Sequence, residues 1–196
     1  KFEIPIVTVN NRNKEGSTKI TNTAKDAIGI NGETAKILSG ADFDADKLYF
    51  SSDSHFEHFN ISKYCHRPFG SRKEMDDALI ANWNSVVPED GIVVHCGDFM
   101  LPHKTGDKEY KKIWDKLNFK TLVLCRGNHD RIDCGTYVYD DKIVIVVDIA
   151  KIIIESDSID IMASHYPMLA YPADIQVFGH IHTLSNGTCE GLDSDV

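Results

Sequence analysis

Leu122-Val123-Leu124-Cys125-Arg126-Gly127-Asn128-His129-Asp130 decides how the chain is read: a strand-sized apolar run ends at a glycine and opens into side chains that bind metals and protons. The same arrangement recurs four times. Leu48-Tyr49-Phe50-Ser51-Ser52 leads into Asp53-Ser54-His55, and Ile92-Val93-Val94-His95-Cys96 into Gly97-Asp98. Ile159 to Ser164 leads into His165, and Ile175-Gln176-Val177-Phe178 into Gly179-His180-Ile181-His182. Between the first two runs in chain order, Ser71 and Glu74 form a capping box. Met75, Ala78, Leu79, Asn82, Trp83 and Val86 then keep helical spacing until Pro88-Glu89-Asp90-Gly91 stops it. Tyr110, Ile113, Trp114 and Leu117 mark a second amphipathic helix. Lys142 to Asp148 and Ala150 to Glu155 read as two tightly joined strands, which predicts an antiparallel region after the βαβ part. The sum is an α/β fold, a layered sandwich of mixed β-sheets flanked by helices.

In open α/β sheets ligands bind outside the carboxyl ends of strands, so five such ends can converge on one crevice. Neutral imidazoles and carboxylates suit Zn, Mn, Fe or Ni, and alternate residues such as Asp53/His55 and His180/His182 leave a strand end on the same side. Gly97, Gly127 and Gly179 allow the close backbone approach that such loops need.

The ordered set D-x-H, G-D, G-N-H-D, a single His and G-H-x-H, all between Asp53 and His182, resembles the signature of the calcineurin-like metallophosphoesterases. Asp53 to Phe69, with His58, Asn60 and Arg67-Pro68-Phe69, and Ala78 to Asn84 resemble a small bacterial and phage branch of that superfamily. The resemblance implies the calcineurin-like sandwich and a site for two divalent transition-metal ions, Mn, Fe, Zn or Ni. Asp53, His55 and His182 would hold one ion and Asn128, His165 and His180 the other, with Asp98 bridging. Such a pair lowers the pKa of a shared water and clamps the attacking and leaving oxygens of a phosphoryl displacement. His129 matches the family's non-ligand histidine, which protonates the leaving oxygen or stabilises its charge, and Asp130 is its expected orienting partner. His58, three residues after His55, is placed at the rim as a substrate contact. Arg126 stands where relatives often have a smaller residue and is read as reaching a substrate phosphate or facing solvent. His95 is expected to pack in the core, and His66 and His103 to sit in surface loops.

The 196 residues carry a formal net charge of −9 with 42% hydrophobic and 26% charged side chains, an ordinary globular composition. That charge argues against broad capture of nucleic acid, which enters only as a substrate. The expected partner is a small phosphate ester, and the oligomeric state is left open. The absence of long apolar runs and of a signal-peptide layout in the sequence gives the expectation of a cytoplasmic protein away from membranes. Five cysteines without a CxxC pair are expected to be reduced and mostly buried. Residues 1–46 read as an N-terminal appendage whose apolar run Ile4 to Val9 could form an edge strand, with Asp42 to Asp46 a solvated acidic turn. Residues 47–196 read as the metallophosphoesterase domain, shortened at its C-terminus relative to the family. Two other readings of the same sequence are a non-catalytic interaction module on this fold and a nuclease of the superfamily.

Overall fold

A computed structural model describes the backbone of residues 7–8, 35–37, 41–43, 48–154 and 159–181, and the side chains of residues 48–153 and 159–181. The described elements are, in chain order, β1 (Val7–Thr8), β2 (Ala35–Ile37), β3 (Ala41–Phe43), β4 (Leu48–Ser51), α1 (Ile61–Tyr64), α2 (Arg72–Val86) and β5 (Ile92–His95). They continue with α3 (Asp107–Trp114), β6 (Thr121–Cys125), β7 (Gly135–Tyr139), β8 (Lys142–Val147), β9 (Ile149–Ile154), β10 (Ile159–Ser164) and β11 (Ile175–Phe178).

The first sheet has the order β1-β4-β5-β6-β8-β7, with a parallel centre from β4 to β8 and antiparallel strands at both edges. The second has the order β11-β10-β9-β2-β3, in which only β10 and β11 run parallel. Burial on both faces explains why the central strands read as unbroken apolar runs. Tyr49, Val93, Leu122, Leu124, Val144 and Val146 face α2 and α3 and pack with Met75, Leu79, Trp83, Tyr110, Ile113 and Trp114. Their neighbours Phe50, Val94, Val123 and Ile145 turn the other way, against Ala150, Ile152, Ile161, Ala163 and Val177 of the second sheet. The described residues thus form three layers, helices on sheet on sheet, with the mixed α/β character read from the sequence.

Helix α2 starts where expected: Ser71 Oγ accepts from the Glu74 amide at 3.2 Å. The return half of the box shifts by one residue, the Glu74 carboxylate accepting from the Gly70 amide at 2.8 Å. At the far end Trp83 Nε1 donates to the Asn118 carbonyl at 2.7 Å, tying α2 to the turn before β6.

One expectation is corrected. β8 and β9 do not pair with each other: β8 lies in the first sheet beside β6, β9 in the second, and the chain changes sheet at Asp148. The reason is that both edges of β8 are already taken, by parallel β6 on one side and antiparallel β7 on the other. Its hairpin partner is the half-exposed β7, joined through Asp140, whose φ of 52° suits a two-residue turn. In its described parts the segment before residue 47 adds strands to both sheets. Val7–Thr8 forms the expected edge strand on β4, while β2 and β3 extend the second sheet. Of the acidic run Asp42 to Asp46, Asp42 and Phe43 are in β3 and the rest lies outside the described residues. Among the described cysteines Cys96 and Cys125 are buried, Cys65 half-buried and Cys134 exposed, and none forms a disulfide. No helix among the described residues is long and apolar enough to cross a membrane.

Asp76, buried on α2, accepts from the Glu57 amide at 3.1 Å, and burial pushes its carboxyl up to about 6. Folding therefore disfavours its ionised form, so its contribution to stability is fully present below the unfolded-state value near 4 and is lost as pH rises through about 6. Asp76→Asn keeps the acceptor and removes the charge. Urea unfolding at pH 7.5 should show the variant more stable than wild type by about 1–3 kcal/mol, with the two converging toward pH 4.

Candidate metal centre

The loops after β4, β5, β6, β10 and β11 meet at one end of the sandwich, where hydrogen bonds continue beyond the strands. The amides of Asp53, His55 and Phe56 donate to the carbonyls of Gly97, Asp98 and Phe99 at 3.0, 2.9 and 2.9 Å. This pairing carries a severe backbone shape. Asp53, His55, Asp98 and His180 are non-glycine residues with φ of 51°, 55°, 50° and 68°. Each costs about 1–2 kcal/mol relative to an ordinary conformation and persists only where its surroundings fix it.

The glycines of the motifs have a direct steric reason. A Cβ on Gly127 would enter the Asp98 carboxylate, one on Gly179 would strike Ser52 Oγ and Asp53 Oδ2, and one on Gly97 would lie 2.5 Å from His165 Nδ1. Each lets one loop pass against a side chain of another.

Asp98 lies at the middle and is only 2% exposed. Its Oδ2 is 3.7 Å from His55 Nε2, 3.6 Å from His165 Nε2 and 3.9 Å from His129 Nε2, while its Oδ1 accepts from the His129 amide at 3.0 Å. Asp53 Oδ1 is 4.0 Å from His55 Nε2, and the Asp53 carboxylate accepts from the His180 amide at 3.1 and 3.2 Å and from Ser52 Oγ. Oxygen–nitrogen gaps of 3.6–4.0 Å exceed a hydrogen bond. They are a few tenths of an ångström wider than the spacing of two tetrahedral ligands each about 2.0–2.2 Å from a shared ion.

His165 supplies a second indication. Its Nδ1 lies 2.9 Å from the Cys96 carbonyl, which can only accept, so a neutral ring carries its lone pair on Nε2. That atom lies 3.1 Å from Asn128 Oδ1, so the two potential ligand atoms sit side by side. Asp53, Asp98 and His165 each place one ligand atom within 4.8 Å of the others, as do His55, His58 and His129, and both groups could hold a metal ion.

The structure brings together Asp53, His55, Asp98, Asn128, His165 and His180, the last through ring contact with His165 at 5.0 Å between centroids. His182 lies outside the described residues. His58 is half-buried beside these residues, its Nδ1 3.4 Å from His55 Nδ1 and its ring 4.9 Å from that of His129. His66 and His103 are exposed. His95 packs between Trp83 and Phe99 with its Nε2 2.9 Å from Ser54 Oγ, and burial pushes its pKa down to about 3.

Arg126 does not reach toward the site. Its Nε and Nη2 bind Asp148 Oδ1 at 2.9 and 2.6 Å and its Nη1 donates to the Ile132 carbonyl at 3.1 Å, because the crossover between sheets puts a carboxylate directly opposite. Asp130 does not orient the His129 ring. Its carboxylate accepts from the amides of Gly127, Phe99 and Met100 and from Tyr110 Oη at 2.9–3.2 Å, binding the β5 and β6 loops together. Burial raises it to about 6 against the pull of those amides. Tyr166 was not anticipated: its half-exposed ring sits edge-on to His165 and His180 with centroids 4.8 and 4.7 Å away. Its place directly after the lone histidine was the one available signal.

No family model matches the chain. The uncharacterized protein MJ1445 of Methanocaldococcus jannaschii is 46% identical over 85 residues, which are 43% of this chain and 47% of that protein. The chain thus matches about half the length of that relative. The crystal structure of AQ665, a protein of unknown function from Aquifex aeolicus, matches with a TM-score of 0.50 and 27% identity, covering 71% of this chain and 81% of that one. These likenesses support the mixed α/β architecture.

Gly127→Ala and Gly179→Ala should each destabilise the protein by about 1–3 kcal/mol in chemical denaturation, by forcing a methyl into Asp98 or the Ser52–Asp53 pair. Gly135→Ala, whose Cβ meets nothing closer than 3.9 Å, is the control and should cost far less.

Proposed function

We propose that this protein is a dinuclear metal-dependent phosphoesterase of the calcineurin-like metallophosphoesterase superfamily, hydrolysing phosphomonoesters or phosphodiesters. The observation that carries the reading is the buried Asp98 carboxylate, whose one oxygen lies within 3.9 Å of the Nε2 atoms of His55, His129 and His165. In this reading Asp53 and His55 hold one ion and Asn128, His165 and His180 the other, with Asp98 between them, and the donor set suits Mn, Fe, Zn or Ni. Two such ions supply Lewis acidity toward a phosphoryl group and lower the pKa of water.

The chain's own residues do the rest. Asp98 fixes the His129 backbone through Oδ1, so the partly exposed imidazole stands beside the centre, and the motif order assigns it the acid's role. From there His129 donates a proton to the leaving oxygen. His58, against the same ring, offers a second imidazole to a phosphate oxygen. Asp130 keeps the loop carrying Asn128 and His129 in register with Asp98. A small phosphate ester is the substrate, and the resemblance in motif order supports this class over an interaction module, which has no use for His129.

Elemental analysis after loading with Mn or Zn should give two ions per chain, and the loaded protein should turn over a nitrophenyl phosphodiester. A ratio of one or less at saturation, or absence of turnover with every one of Mn, Fe, Zn and Ni, argues against the proposal. Asp98→Asn should lose at least one ion together with activity. His129→Ala should keep both ions and lose about 10²–10⁴-fold in rate on an alkyl ester, with a smaller loss on the nitrophenyl ester, whose leaving group needs little protonation.

A further inference from the structure

The segment Arg67-Pro68-Phe69 belongs to none of the strand-end motifs, yet Arg67 reaches the back of one of them. Its Nη2 donates to the Asp53 carbonyl at 2.7 Å and its Nη1 to the Ser54 carbonyl at 2.8 Å. In an extended strand consecutive carbonyls point opposite ways; here both accept from one guanidinium. The arginine is itself anchored. Its amide donates to the Ser62 carbonyl of α1 at 2.9 Å, and Nη1 also lies 3.8 Å from Sδ of Met75 on α2. Burial lowers its pKa, but a guanidinium remains a cation in a protein.

The turn it grips has three left-handed non-glycine residues at alternate positions, Asp53, His55 and Glu57, with φ of 51°, 55° and 64°. On one side the amides of Asp53, His55 and Phe56 are held by the β5 loop. That pairing fixes the amides and leaves the carbonyls of Asp53 and Ser54 to be fixed from the other side, where Arg67 lies. A flat fork with two parallel donors suits two adjacent carbonyls, and a lysine ammonium cannot reproduce it.

We propose that Arg67 is a positioning residue that holds the Asp53–His55 turn so that both side chains face Asp98. The inference rests on the metal-centre reading for its consequence: Arg67 sets the affinity of the Asp53–His55 half of the site and leaves the Asn128–His165 half alone.

The test uses the full chain with Arg67→Ala and Arg67→Lys, read in two ways. In metal-free protein, hydrogen exchange should show the amides of Asp53, His55 and Phe56 losing protection in both variants while those of β5 and β6 keep theirs. On titration with Mn or Zn, one of two ions should bind about 10–100-fold more weakly, the range seen when a ligand's supporting contact is removed. Free guanidinium at low concentration should restore protection and affinity to Arg67→Ala. Folded variants with wild-type protection at residues 53–56, or with both ions weakened equally, overturn the proposal. Loss of protection across the whole first sheet, or failure of both variants to fold, overturns it as well, since the role is then global. If wild type binds no ion, the phosphoesterase reading fails, and the exchange result still decides whether Arg67 holds the turn.

Discussion

A carboxylate that is 2% exposed needs compensation, and Asp98 accepts the amide of His129 on Oδ1 while three imidazole Nε2 atoms stand 3.6–3.9 Å from its Oδ2. An unpaired buried charge is among the most expensive features a fold can carry. Everything near the strand ends is arranged around that one side chain. Gly127 has no side chain because Asp98 fills its place, and Gly97 has none because His165 does. The left-handed φ of Asp98 and of Asp53 aims both carboxylates into the same small volume.

The cost of that arrangement is met by rigid neighbours. Asp130 gathers three amides and a tyrosine hydroxyl from two loops and from α3, so the β5 and β6 loops cannot drift apart. Behind it stands a packed aromatic layer, Phe99 beside Tyr110 and Tyr110 beside Trp114, with no freedom to absorb a shift. The site, with His55, Asp98 and His165 themselves buried, therefore rests on a tightly packed part of the molecule, which is how a strained backbone can be kept in one shape.

Much of this was legible beforehand. The five apolar runs are strands, and the described ligand-type residues after them come together, because a doubly buried strand leaves a clear apolar signature and in three of the five a glycine marks where it stops. Other features left no such mark. β8 and β9 look alike in sequence, and only the layer each one covers separates them. Arg126 carries a charge whose destination depends on Asp148, brought opposite it by a sheet change that no local pattern announces. Asp130 follows His129 directly, which suggested a partnership, but adjacent residues diverge in a loop and its carboxylate points to the backbone behind. Arg67 joins residues fourteen apart by contacts to main-chain carbonyls, which side-chain chemistry in a sequence does not encode.

The change of sheet at Asp148 has one more consequence. Asp53, His55, Asp98 and Asn128 are delivered by the first sheet, His165 and His180 by the second. The two layers also adhere through a packed apolar interface and through contacts such as Cys125 Sγ to the Ala163 carbonyl and His165 Nδ1 to the Cys96 carbonyl. A cation gripped between Asp98 and His165 would be a rivet through both, and its binding free energy would add to the cohesion of the layers. A chelator would then act on this protein as a mild denaturant, loosening one sheet from the other before it touched either sheet's own hydrogen bonds.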